Sequence, residues 1–365
     1  MTDDERFMQR ALDLAGNARG LTSPNPMVGA LVVRDGVVLG EGFHRRAGQA
    51  HAEIDALNAA GDRARGATLY VTLAPCTHQG RTPPCAPAVI AAGVRRVVVA
   101  TEDPNPAAGG GVAALRGAGI DVTTGVLEVP ATALNRIFLT AMRLGRPHVT
   151  LKSAATLDGK IADVHGASQW ITGSAARVEA HRLRSETDAI VVGIGTVLAD
   201  DPALTVRLDG PWPREPLRVV LDSTARTPPG ARLITSGTPD RAVIALGADP
   251  PDARVDGLRA AGARLVRCPG ADGRVSPRGL LDALYAMEVR GVLIEGGAEV
   301  GAAFVEAGLV DRVAMLFAPK LLGGAKATPI LGGAGRALAD ALGLGALAVR
   351  QVGDDVMIEA DVRRD

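Results

Sequence analysis

Aromatic residues are scarce: two Trp, two Tyr and five Phe in 365 residues. Such a chain has few rings on which nucleobases could stack. It also has no excess of charge. The 40 Lys and Arg balance 40 Asp and Glu, and the net charge is zero. The basic surface that neutralises phosphates in a nucleic-acid binder is therefore missing. No run approaches the ~18 uninterrupted apolar residues of a membrane span. Neither nucleic acid nor membrane is expected as a partner. Cysteine is limited to three residues, an odd number that excludes a disulfide framework. The opening Met1-Thr2-Asp3-Asp4-Glu5-Arg6 is acidic, without the basic and apolar regions of a signal peptide. A cytoplasmic location is expected, where thiols stay reduced and can bind metal. Lysine is nearly absent. Lys152, Lys160, Lys320 and Lys326 stand against 36 Arg, a bias that base composition explains and from which no function is read.

What is present is globular composition, with 47% hydrophobic and 22% charged residues. The length suits two domains, each with its own core. A mean hydropathy of +0.16 is compatible with a homo-oligomer. Short runs rich in Val, Ile and Leu read as buried strands: Val28 to Val33, Thr68 to Thr72, Arg96 to Thr101, Ala189 to Gly193, Arg218 to Asp222, Ala242 to Leu246, Val292 to Glu295 and Arg312 to Phe317. Helical patterns lie between several of them, such as Pro84 to Ala92 closed by Gly93 and Glu299 to Ala307 closed by Gly308. The alternation predicts an α/β class. A helix over Ala131 to Arg143 ends at Leu144-Gly145-Arg146-Pro147, and a strand restarts at His148. Domains of 1–145 and 146–365 follow. The Gly-, Pro-, Ala- and Arg-rich stretch from Gly247 to Arg278 reads as loop-heavy.

The chemistry concentrates in His51-Ala52-Glu53, Pro75-Cys76 and Pro84-Cys85. One His and two Cys are ligands that zinc prefers, and three protein ligands leave a fourth position for water, as catalytic sites do. His51 starts one helical pattern and Cys85 another, and a helix N-terminus favours the thiolate. Glu53, two residues after His51, cannot share its helical face but can lie beside water at the ion. Zinc brings the pKa of that water to about 7. Glu53 could take its proton and return one to a leaving amine. The pattern is that of zinc nucleobase deaminases, with eight residues between Cys76 and Cys85 in place of the two of C-x-x-C. Alternatives stay open at this point. His-x-Glu is common on helix surfaces, Cys is often a small buried hydrophobe, and His78 could be a fourth ligand closing a structural site. Cys268, without a Pro-Cys or His neighbour, reads as a plain buried thiol.

The insertion carries a resemblance. Pro75-Cys76-Thr77-His78-Gln79-Gly80-Arg81-Thr82-Pro83-Pro84-Cys85 closely resembles the bifunctional riboflavin-biosynthesis deaminase–reductase family. So do Thr22-Ser23-Pro24-Asn25-Pro26-Met27-Val28-Gly29, Gly42-Phe43-His44 and Glu102-Asp103-Pro104-Asn105-Pro106. The resemblance implies a cytidine-deaminase-like three-layer α/β/α first domain holding one zinc ion. It also implies that Asn25, His44, His78, Asp103 and Asn105 line the pyrimidine or phosphoribosyl pocket.

Read from its residues alone, the second domain yields less. Gly193-Ile194-Gly195 follows a strand, but the third Gly of a dinucleotide fingerprint falls at Leu198. Gly324-Ala325-Lys326-Ala327 is no phosphate loop. Glu295-Gly296-Gly297 ends a strand and turns into a helix near Val300. That is either an ordinary turn or a cradle where backbone N–H groups meet a phosphate. Here too the family resemblance extends: Lys152 to Lys160, Ser168 to Gly173, Thr196 to Arg207, Leu221-Asp222-Ser223, Leu293 to Gly297 and Ala318 to Gly324 are similar to its reductase. It implies an α/β fold like dihydrofolate reductase that uses NADPH to turn a ribosylamino into a ribitylamino group. Ala154, Trp170, Thr196, Asp200 and Ser223, with the turn from Gly297 to Gly301, would touch the nucleotide. Ser168, Arg184, Leu204, Arg207 and Glu295 would hold the phosphorylated substrate, and Arg suits bidentate phosphate contact.

The expected function is therefore bifunctional. A zinc-dependent domain would release ammonia from a phosphoribosylated diaminopyrimidinone, and an NADPH-dependent domain would then reduce the sugar. A nucleic-acid deaminase is disfavoured by the missing aromatics and charge. A zinc-stabilised binding protein without chemistry would unfold its first domain on metal removal.

Overall fold

The computed structural model describes residues 1–210 and 212–364. The chain divides into two compact units, Met1–Gly145 and Arg146–Asp365.

In the first unit the elements run α1 (Asp3–Gly16), β1 (Gly29–Arg34), β2 (Val37–Phe43), α2 (Ala52–Ala60), β3 (Thr68–Leu73), α3 (Cys85–Ala91), β4 (Arg96–Thr101), α4 (Gly111–Gly117), β5 (Asp121–Thr124), α5 (Glu128–Leu134) and α6 (Arg136–Leu144). The sheet order is β2-β1-β3-β4-β5. β1 pairs antiparallel with β2 and β3, whereas β3, β4 and β5 run parallel. Strand side chains alternate between two cores, as the two-residue period demands. Val32, Leu69, Val71, Val97 and Val99 face Ala56 of α2, Val89 of α3 and Leu115 of α4. Leu31, Val33, Tyr70, Val98 and Ala100 face Phe7, Met8, Ala11 and Leu12 of α1 and Ala131 of α5. Helices on both faces make three layers. The start of α1 is set by a capping box: Glu5 N–H donates to Thr2 Oγ1 at 3.2 Å, and Thr2 N–H donates to Glu5 Oε2 at 2.7 Å.

One expected helix, Ala131 to Arg143, is two. The break falls at buried Asn135. Its amide accepts from Met27 N–H and donates to Met27 O, both at 2.8 Å. The side chain acts as a strand partner for a distant segment, and this tertiary bond overrides local helix propensity.

The second unit contains β6 (His148–Thr156), β7 (Lys160–Ala162), α7 (Ser174–Ser185), β8 (Ala189–Gly193), α8 (Ile194–Asp200), β9 (Leu217–Leu221), α9 (Arg232–Thr235), β10 (Ala242–Leu246), α10 (Asp252–Ala260), β11 (Arg264–Arg267), α11 (Pro277–Ala286), β12 (Gly291–Glu295), α12 (Ala298–Glu306), β13 (Arg312–Ala318), β14 (Thr328–Pro329), β15 (Ala348–Val352) and β16 (Asp355–Asp361). Nine strands form one sheet in the order β11-β10-β9-β8-β12-β6-β13-β16-β15. Its first seven are parallel, and β16 and β15 add antiparallel. The central strands β8, β10 and β12 are buried throughout, which is why they read as unbroken apolar runs.

The stretch from Gly247 to Arg278 is loop-heavy as expected, but within it lie α10 and β11, which the sequence reading did not single out. β11 is an edge strand whose ends, Arg264 and Arg267, are exposed. An edge needs no apolar run, so its pattern resembles a loop. Cys268 is buried in the core beside this edge.

Candidate active sites in the two units

In the first unit, two helix N-termini and one strand end converge. His51 is the N-cap of α2, Cys85 is the first residue of α3 after the N-cap Pro84, and Cys76 follows β3. Their ligand atoms lie within 4.8 Å of one another, and no other His, Cys, Asp or Glu joins the group among the described residues. His51 Nδ1 is 3.1 Å from Cys85 Sγ and 3.6 Å from Cys76 Sγ. A borderline-soft N,S,S donor set of this compactness fits zinc with one position open. His78 is outside the cluster, so the four-ligand alternative finds no support. Its Nδ1 is buried without a hydrogen-bond partner.

The remaining ring nitrogen of His51 meets Thr82 Oγ1 at 3.1 Å. With Nδ1 facing the sulfurs, Nε2–H donates to that hydroxyl and fixes the ring, as outer partners of metal ligands do. Sequence reasoning passed over Thr82, since a threonine in a loop carries no signal of its own. Cys76 is pulled well below the usual thiol range by Cys85 and His51 beside it, against burial. Cys85 is pushed up by the neighbouring Cys76 and by burial. Two thiols sharing one proton mark a place built for positive charge.

Glu53, in the first turn of α2, is only 3% exposed and lies against Cys85. Burial pushes its carboxyl up to about 7, with His51 partly opposing. A carboxyl poised near neutrality suits a proton shuttle. His44 is buried edge-on to His51, with ring centroids 5.2 Å apart. Its Nδ1–H donates to Ala50 O at 3.0 Å, and its Nε2 accepts from Asn25 Nδ2 at 3.1 Å. Burial holds its pKa down, so this chain from Asn25 to His44 is neutral. Asp103 interacts with Cys76 and His78, and burial raises its pKa. Asn105 is turned to its own loop. Its N–H donates to Asp103 Oδ1 at 2.9 Å, and its Oδ1 accepts from Ala107 N–H at 3.1 Å.

The second unit's polar centre lies at the carboxyl ends of the parallel strands, where open α/β sheets bind ligands. Glu295 closes β12 and stands in register with Lys152 on β6. Arg184, near the end of α7, donates twice to Glu295, at 2.8 and 2.7 Å, and once to Thr205 O at 3.0 Å. Burial works against the Glu295 charge, but Arg184 and Lys152 outweigh it and hold the carboxyl at about 2. Burial lowers the Lys152 pKa, with Glu295 opposing. Lys152 and His181, which also faces this centre, were not singled out from sequence. A lysine in a strand and a histidine on a helix become informative only once folding joins them.

Arg207 is exposed, and its guanidinium has no partner among the described residues. Ser168 Oγ donates to Asp200 Oδ1 at 3.3 Å, which joins two candidate residues. Trp170 is 64% exposed, with the Arg177 guanidinium 4.7 Å above its ring. Ala154 sits mid-strand on β6, half-buried. Leu204 has its side chain in the core at 2% exposure and a φ of 51°, so only its backbone can meet a ligand. Ser223 lies past β9, its Oγ accepting from Val275 N–H at 3.1 Å. That bond is internal to the unit.

Gly296 and Gly297 have φ of 91° and 82°, and Gly297 is the N-cap of α12. A Cβ on either would reach Thr196 at 3.6 to 3.7 Å. Bare backbone amides at this helix start make a cradle that fits the pyrophosphate of a dinucleotide. The helix runs Ala298–Glu306, one residue earlier at each end than the pattern Glu299 to Ala307. Gly301, one turn in, packs under Leu331 and Leu151.

Comparison with known proteins agrees with both centres. Residues 1–101 match the cytidine and deoxycytidylate deaminase zinc-binding region, and residues 147–358 match the RibD C-terminal domain. The riboflavin biosynthesis protein RibD of Aquifex aeolicus is 41% identical over 356 residues, 97% of each chain. Acinetobacter baumannii RibD superposes with a TM-score of 0.90 at 39% identity, over 99% of each chain. A deaminase/reductase from Thermotoga maritima superposes with a TM-score of 0.86 at 35% identity, also over 99% of each. No helix among the described residues is long and apolar enough to cross a membrane. The zinc-type cluster beside a buried carboxyl, and the charged centre at the carboxyl ends of parallel strands, thus have a common explanation: the chain belongs to the RibD family, the bifunctional deaminase–reductases of riboflavin biosynthesis.

Proposed function

We propose that this chain carries out two successive steps. Its first unit hydrolyses the amino group of a phosphoribosylated diaminopyrimidinone, consuming water and releasing ammonia. Its second unit reduces the product's ribosyl side chain with NADPH. The relative from Thermotoga maritima is described as a diaminohydroxyphosphoribosylaminopyrimidine deaminase and 5-amino-6-(5-phosphoribosylamino)uracil reductase. The observation that carries the reading is the three-ligand cluster of His51, Cys76 and Cys85 with Glu53 buried against it.

His51 Nδ1 and the sulfurs of Cys76 and Cys85 would hold the zinc ion. Zinc, when bound, makes water acidic enough to serve as a nucleophile at neutral pH. The Glu53 carboxylate accepts the proton of the attacking water. It donates that proton to the ring nitrogen, then takes the second proton from the newly added hydroxyl and passes it to the departing amine, so that ammonia leaves as the carbonyl forms. Its buried position keeps the pKa near the operating range, so both transfers are close to balanced. The His44–Asn25 chain, His78 and Asp103 line the approach and orient the base. Thr82 keeps the His51 ring in register.

In the second unit, NADPH supplies a hydride. The amides at Gly297 and α12, with Thr196, are suited to its phosphates. Trp170, Ala154, Asp200 and Ser223 would complete the nucleotide contacts. Arg184, held rigid by Glu295, and Arg207 supply the positive charge for the substrate's phosphate, with Ser168 and the Leu204 backbone beside them. The enzyme on this reading is cytoplasmic, acts on small phosphorylated pyrimidines without nucleic acid or membrane, and can assemble as a homo-oligomer.

The test is to supply the diaminopyrimidinone phosphate with and without NADPH. Ammonia should appear in both cases, and nicotinamide absorbance should fall only with NADPH present. Ammonia release without any later NADPH oxidation would reject the second half of the proposal. Oxidation without ammonia would reject the order of steps.

A further inference from the structure

His181 carries no role in the scheme above, yet it stands at the reductase centre. It lies on α7, three residues before Arg184, so the two share a helix face. Its Nδ1 accepts the Arg207 backbone N–H at 3.1 Å. Arg184 donates to the Thr205 carbonyl at 3.0 Å. Two side chains of one helix therefore secure both ends of the segment 205–207, which presents the Arg207 guanidinium.

Accepting at Nδ1 has a consequence. A neutral imidazole that accepts on one nitrogen carries its proton on the other. Nε2–H is thus a fixed donor, and it has no partner among the described residues. The charged groups facing the ring are Arg184 on its own helix, Arg207 on the loop, Lys152 on β6 and Glu295 on β12. Burial and the three cations hold the ring's pKa down to about 4, so it stays neutral at physiological pH. The Glu295 carboxylate is already engaged twice by Arg184. Three cations and one carboxylate face the ring; with Glu215, which accepts from Val206 N–H at 3.1 Å and also acts on Arg184, counted as a second carboxylate, the centre still holds an excess of positive charge. With Nδ1 taken by the Arg207 N–H, the one site left on the ring is a donor, and beside two guanidinium groups it matches an oxyanion that has only lone pairs to offer.

We propose that His181 is a positioning residue of the reductase site, its Nδ1 securing the Arg207 segment and its Nε2–H donating to a phosphate oxygen of the substrate. This rests on the reductase reading given above.

The experiment uses the full chain with two substitutions that divide the ring's functions. In His181→Asn the amide oxygen can replace Nδ1, but nothing reaches the Nε2 position. In His181→Gln the amide N–H₂ can replace Nε2, but the acceptor for Arg207 is lost. The readouts are KM and kcat for 5-amino-6-(5-phosphoribosylamino)uracil and the calorimetric Kd of inorganic phosphate, which needs no turnover. His181→Asn should raise both KM and the phosphate Kd about 10-fold, the scale of one hydrogen bond to a charged group, with kcat within about twofold. His181→Gln should recover part of the phosphate affinity. Wild-type phosphate affinity in His181→Asn would overturn the donor role, and so would a fall in kcat with unchanged KM. No gain of His181→Gln over His181→Asn would overturn it as well. Failure of the wild-type enzyme to reduce the substrate would count against the reductase reading, while the phosphate Kd would still decide the role of His181.

Discussion

The two units assemble their chemistry in opposite ways. The first draws its zinc-type cluster and the buried Glu53 carboxyl from between His51 and Cys85, on two helix starts and one strand end. The second collects Lys152, Arg184, Arg207 and Glu295 from across the unit and joins them through strand register and one helix face. The difference follows from the ligand. A metal ion demands particular donor atoms, and only His and Cys supply this set. A phosphorylated sugar and a dinucleotide are held by arginines and backbone amides, which any surface can offer.

That contrast predicts that damage to the first unit is abrupt and confined to it. Glu53→Gln should retain the metal and lower ammonia release by about 10²- to 10⁴-fold, the range attributed to general acid–base catalysis. Metal content and the rate of NADPH oxidation on the deaminated substrate, both unchanged, check that the loss is local. A variant with full deaminase activity would remove Glu53 from the mechanism.

In the second unit, removal of one charge should damage stability as well as activity. The Arg184–Glu295 pair is nearly buried, with side chains 14% and 8% exposed. Glu295→Ala leaves a guanidinium without its partner and should cost about 3 to 5 kcal/mol of unfolding free energy, read from denaturant melts. The pH dependence has a definite sign. The folded-state pKa of Glu295 lies below the ordinary carboxylate value, at about 2. Its contribution is present in full above the ordinary value of 4.5 and is lost as pH falls from there towards 2. Acid melts of the wild type should show this loss, and those of Glu295→Gln should show less of it. Identical slopes for the two would mean that the pair adds nothing.

A smaller effect is expected at the dinucleotide cradle. Gly297 has a φ of 82°. Gly297→Ala places a methyl group where a phosphate would approach and costs about 1 kcal/mol in the left-handed region. The KM for NADPH should rise severalfold while ammonia release stays unchanged. The smallest effect concerns Lys320, whose ammonium donates to Trp170 O at 3.0 Å and to Ile171 O at 2.7 Å. Lys320→Met should loosen the Trp170 loop and raise the KM for NADPH about twofold to threefold, since exposed contacts of this type carry about 1 kcal/mol or less. An unchanged KM would show that the loop is held by other contacts.

The metal centre was legible in the chain as far as its ligands, because donor chemistry restricts residue identity. Thr82 and the His44–Asn25 chain were less so, since a hydroxyl or an amide orients a ligand only from a distance that folding sets. The break at Asn135 shows the same limit within a helix. Thirteen residues of helical pattern read as one element until a bond to Met27 divides them. Within the loop-heavy stretch from Gly247 to Arg278, β11 gave no signal of its own, because an edge strand can be polar and still be hydrogen-bonded.

By itself, the sequence determined the α/β alternation, the identities of the three metal ligands and the carboxylate beside them. Apolar periodicity and donor-atom preference act locally and leave their mark on residue type. Only the tertiary structure decided that Arg184 pairs with Glu295, that Lys152 stands beside them and that Nδ1 of His181 accepts the Arg207 N–H. Those are consequences of distance and burial between segments far apart in the chain, and Coulomb and hydrogen-bond energies depend on that separation rather than on sequence order.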